Sequence, residues 1–212
     1  GYDDNRTTIF SLRDKDNIPH LTVEYDKRFL FDPIMQIRGK GNTKPNEKYY
    51  NDIFKLYKEK GINDYYYLTK GESYATAKDK IYIGDEAISA CPLNIVFDSV
   101  HLSRHSKIKI WKHSVSGNFD SEVRLRIIRY DCRFSGKIEM YNTNTYAILD
   151  GKILIGDKAI LSCPPDTVFD SVYLRGDSNI KEWIDSVKNS FTALGSKLEY
   201  VDPKCEFGGE VY

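Results

Sequence analysis

Seven side chains near the start of the chain are of the types that chemistry needs: Asp14, His20, Glu24, Gln36, Arg38, Lys40 and Asn42. Two carboxylates followed by a basic group suit metal-dependent phosphodiester cleavage. In that reading Asp14 and Glu24 hold Mg2+ and Lys40 stabilises the phosphoryl charge. Such sites also set an acidic residue one position from a lysine on the same strand, and Gln36-Ile37-Arg38 stands in that place, a poor match. His20 and Glu24 as a general acid and base fare no better. No serine nucleophile elbow, Walker loop or Gly-x-Gly-x-x-Gly stretch occurs. The pattern leans away from catalysis and implies no cofactor.

The same residues suit binding. A period of two puts His20, Thr22 and Glu24 on one strand face, and Gln36 and Arg38 on one face of the next. Lys40, Asn42 and Lys44 follow in a glycine loop whose backbone N–H groups suit phosphate or carboxylate. From Lys27 to Lys60 there are nine basic and four acidic residues, an excess of five. The binding residues expected are therefore His20, Glu24, Gln36, Arg38, Lys40 and Asn42. The alternative is an ordinary solvated sheet face followed by a turn.

The cysteines offer less. Cys91, Cys132, Cys163 and Cys205 contain no Cys-x-x-Cys pair, and His101 and His105 have no cysteine nearby, so neither a disulfide framework nor a zinc site is implied. Small buried thiols in a reducing compartment are expected.

The elements that would carry these groups read as follows. Thr8–Arg13 and Pro19–Asp26 alternate as strands around an Asp14–Asn17 turn, and Ile34–Arg38 is a third strand after Asp32-Pro33. Apolar residues at 50, 53, 54 and 57 predict an amphipathic helix over Tyr49–Lys60, stopped by Gly61. Residues 1–63 thus read as a small α+β module of three strands and a helix, and residues 64–77 as a linker.

Residues 78–212 repeat themselves. Lys80-Ile-Tyr-Ile-Gly-Asp85 returns as Lys152-Ile-Leu-Ile-Gly-Asp157, and Cys91-Pro92 returns as Cys163-Pro164. Phe97-Asp-Ser-Val100 returns as Phe169-Asp-Ser-Val172, and Trp111 as Trp183, so that one constant offset, without a gap, relates every pair. A shorter period lies inside, with uneven steps between centres at 81, 100, 123, 138, 153, 172, 191 and 211. One such coil cannot bury its apolar row alone, so neighbours must stack. The fold class expected is mainly β, with an α+β N-terminal unit and a C-terminal β-solenoid of about eight coils, leucine-rich-like or β-helix-like. A β-sandwich that duplicated one hairpin is the alternative. In the stacked register Cys91 and Cys163 lie too far apart to be bridged. The chain stops as a coil opens at Val211. Either a cap is missing or the solenoid continues in a longer protein, and an open end would invite oligomerisation.

Phe10-Ser-Leu-Arg-Asp14, Pro19-His-Leu-Thr-Val-Glu24 and Gln36-Ile-Arg-Gly-Lys-Gly-Asn42 resemble a module of PcfJ-like proteins of mobile elements and of large tailed-phage proteins. The departures are Arg38, where that pattern has lysine, and the insertion at Tyr25–Pro33. The resemblance is specific only over the stretch that holds these motifs. It extends loosely to the repeats, which are similar to the degenerate leucine-rich-like repeats that accompany the module in phage. It implies a phage or mobile-element protein of the bacterial cytoplasm or the virion. It carries no established reaction, and marks His20, Glu24, Gln36, Lys40 and Asn42 as motif positions.

Charge balance, 31 basic against 31 acidic, gives no global pull toward nucleic acid or an anionic membrane. No apolar run approaches the ~20 residues of a membrane span. The chain starts at Gly1, so the absence of a leader carries little weight. The leading expectation is a non-enzymatic interaction protein whose solenoid grips a protein partner, a host factor among the candidates, through outward aromatics such as Tyr82, His101 and Tyr173. The alternatives are a virion structural component, and a nucleic-acid-binding protein acting through residues 27–60 or a weak metal-dependent nuclease acting through the N-terminal module.

Overall fold

The structure, a computed structural model, describes residues 7–26, 34–63, 65–142 and 145–212. Strands β1 (Thr7–Arg13), β2 (Pro19–Asp26) and β3 (Ile34–Gly39) form an antiparallel sheet in that order. Phe10 faces Val23 and Val23 faces Ile37, so the apolar alternation falls on one side. Helix α1 (Tyr50–Glu59) covers that side with Ile53, Phe54 and Tyr57. Gly61 ends it at φ +68°, and the Ile62 N–H reaches back to the Tyr57 carbonyl at 2.9 Å. Lys27, Arg28, the Asp32-Pro33 turn and most of the Tyr25–Pro33 insertion lie outside the described residues.

The stretch read from the sequence as a linker, 64–77, contains helix α2 (Tyr66–Thr69) and strand β4 (Tyr74–Ala77). Strand β4 pairs antiparallel both with β5 (Lys80–Ile83) and with Ser99–Leu102, and Ala75 is fully buried. Paired on both edges, β4 belongs to the solenoid's first sheet.

Beyond this hairpin the chain winds as a β-solenoid of about six turns. Val100, Phe119 and Ile138 stand side by side in parallel strands, as do Phe97, Val115 and Phe134. Ile110 and Ile127 continue a third ladder. The second half repeats the plan with Val172, Phe191 and Val211, with Phe169, Val187 and Phe207, and with Trp183 and Val201. Val100 and Val172 lie in separate sheets, but each has a parallel neighbour one coil further on, Phe119 and Phe191 respectively. That is stacking rather than a face-to-face sandwich.

Two register expectations change. Val123 is buried, but Phe119 occupies the position between Val100 and Ile138, so two uneven steps become two equal ones. The misleading signal was local: Phe119-Asp-Ser copies Phe97-Asp-Ser, whereas the ladder partner of Phe97 is Val115. Ile81 and Ile153 are not coil centres but lie in the second arms of antiparallel hairpins, Tyr74–Ala77 with Lys80–Ile83 and Tyr146–Leu149 with Lys152–Ile155. Subtracting the two hairpins from eight expected coils leaves six.

The residues kept between the two copies of the long repeat are mostly architectural. Phe97, Trp111, Phe119 and Phe134 form a column with ring centroids 5.1–5.9 Å apart, and Phe169, Trp183, Phe191 and Phe207 form its copy at 5.2–5.5 Å. The Trp111 and Trp183 indoles donate at 2.6 Å to the carbonyls of His113 and Asp185. Asp85 accepts from the Ser106 hydroxyl (2.7 Å) and the Lys107 N–H (2.5 Å), and Asp157 accepts from Ser178 (2.9 Å) and Asn179 (2.6 Å). Asp98 accepts from the Lys78 N–H and Asp170 from the Gly151 N–H, fixing each hairpin turn to the coil beside it. Each hairpin also hands an isoleucine to the unit before it. Ile81 is buried in the N-terminal core, and Ile153 in the core of the first repeat. The N-terminal module therefore caps the first repeat as the first repeat caps the second.

Candidate functional site

The outer face of the N-terminal sheet carries the expected binding residues, in two groups. Register places Glu24 opposite Gln36 and Thr22 opposite Arg38. The Gln36 amide donates to Glu24 Oε2 at 2.8 Å, and Arg38 Nε donates to Gln36 Oε1 at 3.2 Å, forming an exposed hydrogen-bonded row. His20 lies elsewhere, with its Nε2 2.9 Å from Asp14 Oδ2 and its ring stacked on Tyr49 at 5.8 Å. Asp14 also accepts the Ile18 and Asp16 N–H groups at 2.9 and 3.0 Å. The Ile18 bond first, then His20, holds its carboxyl below the usual range. Asp14 and Glu24 thus serve different partners, and among the described residues no group of three His, Cys, Asp or Glu could hold a metal ion.

The second group opens a cleft of about 560 Å3 between the glycine loop and the start of α1, lined by His20, Lys40, Lys44, Lys48 and Tyr49 among others. The loop is tied internally. The Gly39 N–H donates to the Thr43 carbonyl at 2.7 Å, and the Thr43 hydroxyl to the Lys40 carbonyl at 2.8 Å. A Cβ on Gly39 would lie 2.9 Å from the Lys44 carbonyl oxygen, so the close turn needs glycine there. Asn42 sits at φ +65°, exposed, and does not line the cleft. Of the six expected residues, His20 and Lys40 converge here, while Glu24, Gln36 and Arg38 form the neighbouring row.

Two further clefts lie on the solenoid, related by the long repeat. One, of about 620 Å3, is walled by Tyr65 and Tyr66 and floored by Tyr74, His101 and Ser103. The other, of about 530 Å3, is walled by Lys137–Tyr141 and floored by the equivalents Tyr146, Tyr173 and Arg175. In the first, Tyr74 stacks on His101 at 5.5 Å and His101 Nδ1 meets Asp120 Oδ2 at 2.8 Å. The Asp120 hydrogen bond raises the His101 pKa against the opposing effect of burial. In the second, Tyr146 stacks on Tyr173 at 4.6 Å, and burial pushes the Tyr146 hydroxyl pKa up. The Arg175 side chain interacts with that hydroxyl and opposes the shift, while its Nε is buried without a hydrogen-bond partner of its own.

His101 is half-buried on the outer face, where it was expected. Tyr173 and Tyr82 are instead half-buried against the core of the first repeat. The Tyr82 ring packs edge-on against Phe97 at 5.8 Å, because the hairpin arm turns residue 82 inward opposite Ala75. The clefts themselves were missed. The available signal was the comparison of the two copies, since positions 101/173 and 103/175 change character while Val100/Val172 and Leu102/Leu174 are kept.

These features define a β-solenoid capped by an α+β module. No family model, curated protein or solved structure matches the chain.

Proposed function

We propose that the chain is a non-enzymatic interaction protein of phage or mobile-element origin whose solenoid grips a protein partner. The setting rests on the motif resemblance of the N-terminal module. The binding role rests on the solenoid's second cleft. There a stacked tyrosine pair sits on hydrogen-bonded strands with the Arg175 guanidinium beside the Tyr146 hydroxyl. Aromatic and arginine side chains on rigid strands are typical anchors of interfaces.

The test is capture from infected cells with crosslinks mapped by mass spectrometry. The expected outcome is one partner crosslinked around Tyr141 and Tyr173, and its loss in Tyr173→Ala combined with Arg175→Glu. Crosslinks that avoid both clefts, or capture unchanged by the double substitution, would overturn the reading. Among the described residues no helix is long and apolar enough to cross a membrane.

A further inference from the structure

The cleft beside the glycine loop concentrates positive charge. Four lysines elsewhere pair with carboxylates: Lys137 with Glu139 at 2.7 Å, Lys181 with Glu199 at 2.8 Å, and Lys58 with Asp79 and Lys188 with Asp170 at 3.1 Å. Lys40, Lys44 and Lys48 line one cleft, and among the described residues none of them forms an ion pair. Glu47 is the one acidic residue among the described lining, so three lysines less one glutamate leave a formal charge of +2 before His20 is counted. Asp14, the acid attached to His20, is already engaged by His20 and by two loop N–H groups. In a chain whose total charge balances, this is a local excess without a partner among the described residues.

Part of the loop's polar surface is already engaged: the Gly39 N–H and the Thr43 hydroxyl donate to the Thr43 and Lys40 carbonyls, and Asn46 Oδ1 accepts the Lys48 N–H. The three ammonium groups are the cleft's charged donors. Tyr49 offers no stacking platform, since the His20 ring covers one face at 5.8 Å and the Lys48 ammonium lies 4.8 Å from its centroid. A flat base would find no free aromatic face there, whereas a compact, multiply charged oxyanion meets three ammonium groups.

We propose that this cleft binds phosphate groups through Lys40, Lys44 and Lys48, without reading a base. The site stands apart from the solenoid's protein-binding role. The phosphate comes from one of two sources, a nucleic-acid backbone or a small free phosphate compound, and the test separates them.

The full chain is titrated calorimetrically with inorganic pyrophosphate, and by fluorescence anisotropy with labelled oligothymidylate and a mixed-sequence oligonucleotide of equal length. If three phosphates are neutralised on a single strand, the slope of log K against log salt is about −2, so affinity falls roughly 20-fold between about 50 and about 200 mM salt. Lys40→Glu combined with Lys44→Glu should abolish binding, while Lys204→Glu, a control on the solenoid, should leave it near wild type. Lys44→Gln alone should flatten the slope to about −1.4, a readout that general destabilisation would not produce. Equal binding of both oligonucleotides, displaced by pyrophosphate, identifies the backbone as the source. Pyrophosphate binding alone identifies a free phosphate compound. No binding of any probe, or binding that survives Lys40→Glu with Lys44→Glu, or that Lys204→Glu weakens equally, would overturn the proposal.

Discussion

Gly117 tests the stacked architecture most directly. It sits at the corner where the second coil passes over the first, and a Cβ built there would approach the Asp98 carbonyl oxygen within 3.0 Å and its carbon at 3.3 Å. Both obstacles are backbone, so no rotamer change relieves them. Ordinary contact begins at 3.4 Å, so the coils must part at this corner before the methyl group can be seated. Two hydrogen bonds flank the corner, Ser116 N–H to the Phe97 carbonyl and Val100 N–H to the Asn118 carbonyl, each 2.8 Å long. Seating the methyl group takes a shift larger than the roughly 0.4 Å between these bonds and ~3.2 Å, the outer edge of good N–H···O geometry, so both bonds open. Overpacking costs about 1–3 kcal/mol and each weakened bond about 0.5–1.5 kcal/mol. Gly117→Ala should therefore cost about 3 kcal/mol, which in a chain of this size lowers the melting temperature by roughly 6–12 °C. Asn118→Ala, at the exposed neighbour, should stay within about 0.5 kcal/mol of wild type. Thermal unfolding by circular dichroism reads the shift, and hydrogen exchange should show the loss concentrated in strands 99–102 and 119–121. If Gly117→Ala melts with the wild type, the coils are not in contact at this corner and the stacking argument fails.

His101 has a folded-state pKa raised above 6.5 by Asp120, so its contact stabilises fully below that unfolded value and fades as pH climbs through the raised one. The urea midpoint gap between wild type and His101→Gln should be on the order of 1 kcal/mol at about pH 6 and should shrink by about pH 8.5; a gap that widens instead contradicts the assignment. His113 is shifted the other way by burial, but it is present in both proteins and cancels. Cys132 is 3% exposed with its thiol pushed up to about 11, chiefly by burial. Labelling by a thiol reagent near pH 8 should be at least roughly a hundredfold slower than in urea, and peptide mapping that finds equal rates would refute its placement. Asp85→Ala and Asp157→Ala remove the same pair of hydrogen bonds from equivalent corners, so each should cost about 1–3 kcal/mol, agree within about 0.5 kcal/mol and add in the double variant, as read by urea unfolding.

The N-terminal module was legible because each element carries its own punctuation. Asp14–Asn17 supplies turn residues, Gly61 supplies the left-handed stop, and the alternation in Pro19–Asp26 leaves one apolar face to bury. The solenoid was legible as a stack but not in its register. Alternation cannot distinguish a hairpin arm from a coil strand, so Ile81 and Ile153 looked like coil centres. Asp150-Gly151, a short turn signal between alternating runs, marks the second hairpin and by the repeat locates the first. Phe119 was displaced to a corner because three adjacent residues matched a motif, while the real constraint is the distance around one coil. That distance is a property of three ladders closing together, which no short window contains.

The clefts escaped notice for a related reason, and they show how a duplicated chain separates architecture from recognition. Aspartates 85/157 and 98/170 and tryptophans 111/183 keep their identity because each is bound to a backbone group that exists in both copies. Positions 101/173 and 103/175 line the two clefts, and there the copies diverge. One copy holds a histidine on an aspartate, the other a tyrosine on a tyrosine with an arginine alongside. Both copies keep an aromatic ring stacked at the same place, 5.5 Å apart in one and 4.6 Å in the other, the second on the buried Tyr146. Stacking is retained while charge is exchanged, and under the proposed function the two clefts would make different contacts with one partner. On that reading His101→Ala and Tyr173→Ala should each weaken capture, whereas exchanging His101 for tyrosine should spare the fold and disturb the first cleft alone.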